Sequence, residues 1–125
     1  MPAHPFRAAV EARDVDAAVG LLADDVVFRS PAVFKPYEGR AAVETILRTV
    51  FSVFEDFRYT DELTGDTAHA LVFEARVGDR SLQGIDLIRD DADGRIAEFT
   101  VLVRPASGLM ALAERMGPAL ASAGV

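Results

Sequence analysis

The chain is 125 residues long and 50% hydrophobic, which is the size of one domain and enough for a real core. It has no cysteine, which excludes disulfides, thiolate metal sites and cysteine nucleophiles, and with only His4 and His69 as nitrogen ligands no metal and no cofactor is expected. A net charge of −7 argues against a nucleic-acid partner, and no apolar run approaches the roughly 20 residues of a membrane span.

At the start, Met1-Pro2-Ala3-His4-Pro5 lacks a basic segment followed by an apolar one, so a signal peptide is not expected. A cytoplasmic protein with a single domain over residues 1–125 is the expectation. Pro5 suits the first turn of a helix, with Phe6, Ala9, Val10 and Arg13 at helical spacing. Asp14 can cap a second helix with Val15, Ala18, Val19 and Leu22 as its stripe, ended by Asp24-Asp25. Residues 26–30 read as a short strand, and 31–39, with two prolines and a glycine, as a loop. The strongest helical signal spans 40–54, where Val43, Ile46, Leu47, Val50, Phe51 and Phe54 share one face.

The remainder alternates. Residues 57–63, 69–77, 82–89 and 96–104 read as strands. They are joined by Thr64-Gly65-Asp66, Gly78-Asp79 and the turn at Asp91-Ala92-Asp93-Gly94. That last turn superficially resembles a calcium loop, but the closing glutamate is missing and strands flank it. After Pro105, Ser107 can cap a final helix with Leu109, Leu112, Ala113 and Met116 inward, ended by Gly117-Pro118. Helices first and consecutive antiparallel strands later predict an α+β fold, a meander curled around the long helix as a half-open cone. Arg7, Arg13, Arg40 and Arg48 are expected on solvated helix faces.

Leu22-Ala23-Asp24-Asp25-Val26, Tyr37-Glu38-Gly39-Arg40, Ile85-Asp86-Leu87-Ile88-Arg89 and Asp93-Gly94-Arg95-Ile96, in this order, resemble the nuclear transport factor 2-like superfamily. This group, of cystatin-like fold, includes the SnoaL-like polyketide cyclases and the ketosteroid isomerases. The resemblance implies a cone-shaped curved sheet around a long helix. It also puts Asp86 on the position of the carboxylic acid that the isomerases keep neutral as a donor. Their base falls on Ser30 and their tyrosine on Phe6, neither of which serves those roles. The Asp-Arg-Asp set of limonene-epoxide hydrolases falls on Asp86, Gly84 and Val101, so it too is broken. Neither standard activity is expected.

Strand alternation supplies an independent reading. If Asp86 points into the cone, so do Gly84 and Ile88; on the neighbouring strands the inward sets are His69, Leu71, Phe73, Ala75 and Val77, and Ala97, Phe99, Val101 and Val103. The first strand adds Val26, Phe28 and Ser30. The pocket so assembled is apolar, with Asp86 its main ionisable group and His69, Tyr59 and Ser30 nearer the rim. The candidate ligand contacts are Phe6, Phe28, Ser30, Leu47 and Phe51 from the first half of the chain. Tyr59, Phe73, Phe99 and Val101 complete them. Asp86 is the candidate catalytic residue, with His69 a weaker second. An isolated carboxyl in such surroundings either protonates or finds a donor.

Three functions compete. One is an isomerase- or cyclase-like enzyme transferring a proton on a small lipophilic substrate, with Asp86 as acid or donor. Another is a module that binds such a molecule without turnover. The third is an interaction domain whose pocket is filled by Phe6, Phe28, Phe73 and Phe99, with Asp86 purely structural. The outward sheet face carries Val72, Ile85, Leu87, Thr100 and Leu102, so a homodimer through that face is expected.

Overall fold

In the computed structural model, which describes residues 3–125, two short helices come first. His4 caps α1 (Pro5–Glu11), its Nδ1 accepting the Phe6 N–H at 3.0 Å. Asp14 caps α2 (Val15–Gly20) by accepting the Ala17 N–H at 3.0 Å. Then follow β1 (Leu22–Arg29), β2 (Tyr37–Glu38), α3 (Arg40–Val53), β3 (Glu55–Thr64), β4 (Ala68–Val77), β5 (Arg80–Asp90), β6 (Ile96–Arg104) and α4 (Ala106–Ser122).

The strands form one curved, open six-stranded sheet in the order β2-β1-β6-β5-β4-β3. The meander β3 to β6 is antiparallel throughout, as the alternation predicts, while β1 joins parallel to β6. The α3 stripe lies against the inner face. Val43, Ile46 and Leu47 are buried, and Val50, Phe51 and Phe54 pack on the core from a half-buried position. On β4, Leu71, Phe73, Ala75 and Val77 are all buried, in the register read from the sequence.

Four local expectations are corrected. Strand β1 starts at Leu22, because Leu22 and Ala23 are buried and the irregular register between Leu22 and Val27 lets exposed Asp24 and Asp25 bulge outward. In β6 the inward residue at the start is Ile96, not Ala97; a register shift at Arg89/Asp90 turns the strand over there. Helix α4 continues through Pro118 to Ser122, with Pro105 rather than Ser107 at its N-cap. Arg40 is not a free surface cation: its guanidinium donates to Leu22 O at 3.3 Å and Val19 O at 3.2 Å, tying α3 to the joint between α2 and β1.

Two glycines permit close approaches that position the site. A Cβ on Gly84 would lie 2.2 Å from Phe73 Cζ and 2.8 Å from Leu102 O, so the bare β5 backbone makes room for the Phe73 ring. A Cβ on Gly108 would lie 2.7 Å from Leu82 Cβ and 2.9 Å from Ser81 O, so α4 seats directly on β5. No helix is long and apolar enough to cross a membrane among the described residues.

Candidate functional site

Between α3, α4 and the concave sheet face lies a cavity of about 560 Å³. This is the size range of pockets for drug-sized molecules. Phe6 of α1 and Phe28 of β1 form one side, and Leu47 and Phe51 of α3 another. Phe99 and Val101 of β6 make the floor, and Leu109, Leu112, Ala113 and Met116 of α4 close the remaining side. The interior is therefore hollow, not filled by phenylalanines: Phe6 and Phe28 meet Phe99 at ring separations of 5.0 and 5.6 Å and leave the space open.

One polar pair stands in this apolar wall. Asp86 lies on β5 between Leu71 and Val101 of the adjacent strands. It is only 7% exposed. The Tyr59 hydroxyl donates to Asp86 Oδ2 at 2.9 Å, and no other residue among those described bonds this carboxyl. Burial pushes the Asp86 carboxyl up and the Tyr59 hydrogen bond opposes it, which leaves the group raised to about 7. Burial also raises the Tyr59 phenol, and the Asp86 charge and hydrogen bond raise it further, so it stays protonated. Above the Tyr59 ring sits the Arg7 guanidinium, 5.8 Å from the centroid, held by Glu11 and Glu62 at 3.3 Å each. A carboxyl near neutrality with one free oxygen can donate a hydrogen bond or a proton when neutral and accept one when ionised.

The candidate residues distribute as follows. Phe6, Phe28, Ser30, Leu47, Phe51, Tyr59, Phe99 and Val101 all border the cavity. Tyr59 is deeper than the rim position expected for it. Phe73 does not border the cavity. It is fully buried behind the wall, stacked on Phe57 at 4.9 Å in the room left by Gly84. Ser30 is committed elsewhere: its Oγ accepts the N–H groups of Ala32 at 3.0 Å and Val33 at 3.4 Å, folding the start of the following loop. Phe57 and Ile46 also border the cavity, though neither is among the candidate ligand contacts. Phe57 was legible as the inward neighbour of Tyr59 two residues along the same strand.

His69 does not reach the cavity either. Its Nε2 lies 2.9 Å from Asp90 Oδ2, and its ring stands 4.6 Å from that of His4. His4 Nε2 lies 3.2 Å from both Asp90 oxygens. These three groups lie close enough to suggest a metal centre. The wiring argues otherwise. His4 Nδ1 accepts the Phe6 N–H, so the proton of the neutral ring sits on Nε2 and points at Asp90. A metal at Nε2 would cost α1 its cap. The cluster is a clasp in which hydrogen bonds from His4 to Asp90 fasten α1 to β5, with His69 of β4 packed against both. The Asp91 turn is likewise a plain hairpin connection, with Asp91 Oδ1 accepting the Asp93 and Arg95 N–H groups at 2.9 and 3.0 Å.

Among solved structures, a steroid delta-isomerase from Pseudomonas aeruginosa is 50% identical, with 94% of this chain and 88% of that chain aligned at a TM-score of 0.89. A protein with a cystatin-like fold from Silicibacter pomeroyi is 34% identical over 92% of this chain and 84% of that one, with a TM-score of 0.85. An epoxide hydrolase/cyclase-like enzyme of pyran ring formation in salinomycin aligns over 82% of this chain and 87% of that one at a TM-score of 0.66; at 18% identity the likeness is one of fold. No curated protein matches the chain. Residues 3–99 match the SnoaL-like domain family, and the chain belongs to that family, within the NTF2-like superfamily.

Proposed function

We propose that the chain takes a small lipophilic molecule into its cavity, with Asp86 meeting the one polar oxygen of that molecule as hydrogen-bond donor or acid, in an isomerase- or cyclase-type proton transfer. The observation that carries this reading is the single buried carboxyl of the cavity, held by Tyr59 and raised to about 7, whereas the other charged lining residues, Glu11, Arg13, Asp56 and Arg58, are exposed. The 50% identical relative named as a steroid delta-isomerase makes a 3-oxo steroid the first substrate to try. A fused-ring body suits aromatic walls, and a ring carbonyl suits a neutral carboxyl.

A second reading rests on a specific feature. Moving a double bond into conjugation requires a base to take a proton from carbon as well as an acid at oxygen. The position expected to supply that base is Ser30, whose oxygen is occupied by two backbone N–H groups. The carboxylates at the cavity edge, Glu11 and Asp56, are held by Arg7 at 3.3 Å and Arg76 at 2.9 Å. Turnover then requires ionised Asp86 to take the proton from carbon and return it at the conjugated position; otherwise the protein binds without turnover.

Incubation with 5-androstene-3,17-dione, with calorimetry for binding and absorbance for the conjugated enone, separates these. Enone formation that disappears in Asp86→Asn supports the enzyme. Saturable binding with no product supports the binding module. Absence of binding by this and other fused-ring ketones removes the cavity reading altogether.

A further inference from the structure

The loop between β1 and β2 carries a phenylalanine with its side chain wholly in water. Phe34 is fully exposed, and its neighbour Val33 is 46% exposed. An isolated exposed leucine would need no explanation; a whole phenylalanine ring in water two residues along the chain from the lining of a cavity does.

The loop grows out of the cavity wall at both ends. Ser30, Pro31 and Ala32 border the cavity on the way out, and Tyr37 borders it on the way back. The flanking rings Phe28 and Tyr37 face each other at 6.5 Å. Phe34 is two residues beyond Ala32, so its Cα lies within about 7.6 Å of a wall residue. Pro31 and Pro36 stiffen the two ends, leaving a short span between them to move. Among the described residues, the Ala32 and Val33 N–H bonds to Ser30 Oγ are the hydrogen bonds that hold residues 31–36. A segment with so few bonds opens and closes at small cost.

We propose that Phe34 is a ligand-contacting residue of this cavity, carried across its mouth by the 30–36 loop when a lipophilic molecule enters. The proposal rests on the binding reading above. In the empty protein the Phe34 ring lies wholly in water. An occupied cavity presents the ligand's own apolar edge at the mouth, and Phe34 then removes both surfaces from water. Ser30 acquires a role in the same device: its hydroxyl folds the base of the loop and so sets the direction in which Phe34 swings.

The chain contains no tryptophan, so Phe34→Trp installs a sole reporter at the loop tip. Titration of this variant with 4-androstene-3,17-dione is expected to shift its emission to the blue. The midpoint should match that of the heat of binding measured by calorimetry. Phe34→Ala is expected to bind the steroid ~10-fold more weakly and to release it faster. Binding heat with unchanged emission, or Phe34→Ala with wild-type affinity, overturns the role of Phe34 while leaving the cavity reading intact. No binding heat in the wild type removes both. A blue shift produced by raising the protein concentration alone assigns the ring to a second copy of the chain and overturns the proposal.

Discussion

The Tyr59 hydroxyl points at Asp86 Oδ2 across 2.9 Å, joining the first and third strands of the meander inside the cavity. The bond holds the carboxyl in place and opposes the effect of its burial. In Tyr59→Phe only burial remains, so the Asp86 titration is expected to move to higher pH. Carboxyl NMR of the two proteins measures it; a midpoint that stays put or falls contradicts the assignment.

Burying Asp86 costs stability in a defined pH window. Its folded value, about 7, lies above the ordinary 3.8, so between these the folded chain holds a proton that the unfolded chain has released. This contribution favours folding at low pH and is lost as the pH rises through about 7. Above that, the buried charge costs on the order of 4 kcal/mol. Asp86→Asn is therefore expected to gain on the wild type in urea unfolding at about pH 8 and to gain much less at about pH 5. A gap of the same size at both would show that Asp86 titrates normally.

Gly84 and Phe73 fill one volume between them. Gly84→Ala is expected to destabilise the protein by about 1–3 kcal/mol, because the new methyl meets both a ring and a backbone oxygen. Chemical denaturation checks this, and a neutral result would mean that the strands separate more easily than their register suggests.

The clasp at His4, His69 and Asp90 makes its own prediction. His4→Ala removes the α1 cap and the hydrogen bonds of His4 Nε2 to Asp90, for an expected loss of about 1–2 kcal/mol. Faster amide exchange should appear in residues 5–11 before the rest of the chain. Uniform loss of protection would argue that α1 is not a separate unit.

The outer sheet face keeps Leu102 at 50% exposure beside half-buried Val72, Ile85 and Leu87. We infer that this face pairs with a second copy. Sedimentation at micromolar concentration is expected to give a dimer, and Leu102→Glu a monomer. A monomeric wild type would end the idea.

What could be read from the chain followed from local rules. The 40–54 stripe and the alternation of Leu71, Phe73, Ala75 and Val77 set inside from outside, and that placed Asp86 inward. The misreadings were non-local. Nothing near Phe73 says that it fills the space beside a glycine eleven residues later. Nothing near His69 announces a partner at His4. The parity slip at Ala97 comes from a bulge, and a bulge is decided by pairing between strands rather than by either strand alone. Pro118 reads as a stop, yet α4 runs through it to Ser122.

The position of β6 has a consequence for how the molecule is made. It is the last strand in the chain, yet it pairs with β1 on one side and β5 on the other. During synthesis, the pair β1-β2 and the hairpins β3-β4-β5 have no edge in common until residues 96–104 emerge. Assembly therefore waits on long-range closure, which favours slow folding and leaves unpaired edges open to wrong partners meanwhile. A ribosome-bound chain halted before Ile96 lacks the one strand that joins the two parts of the sheet.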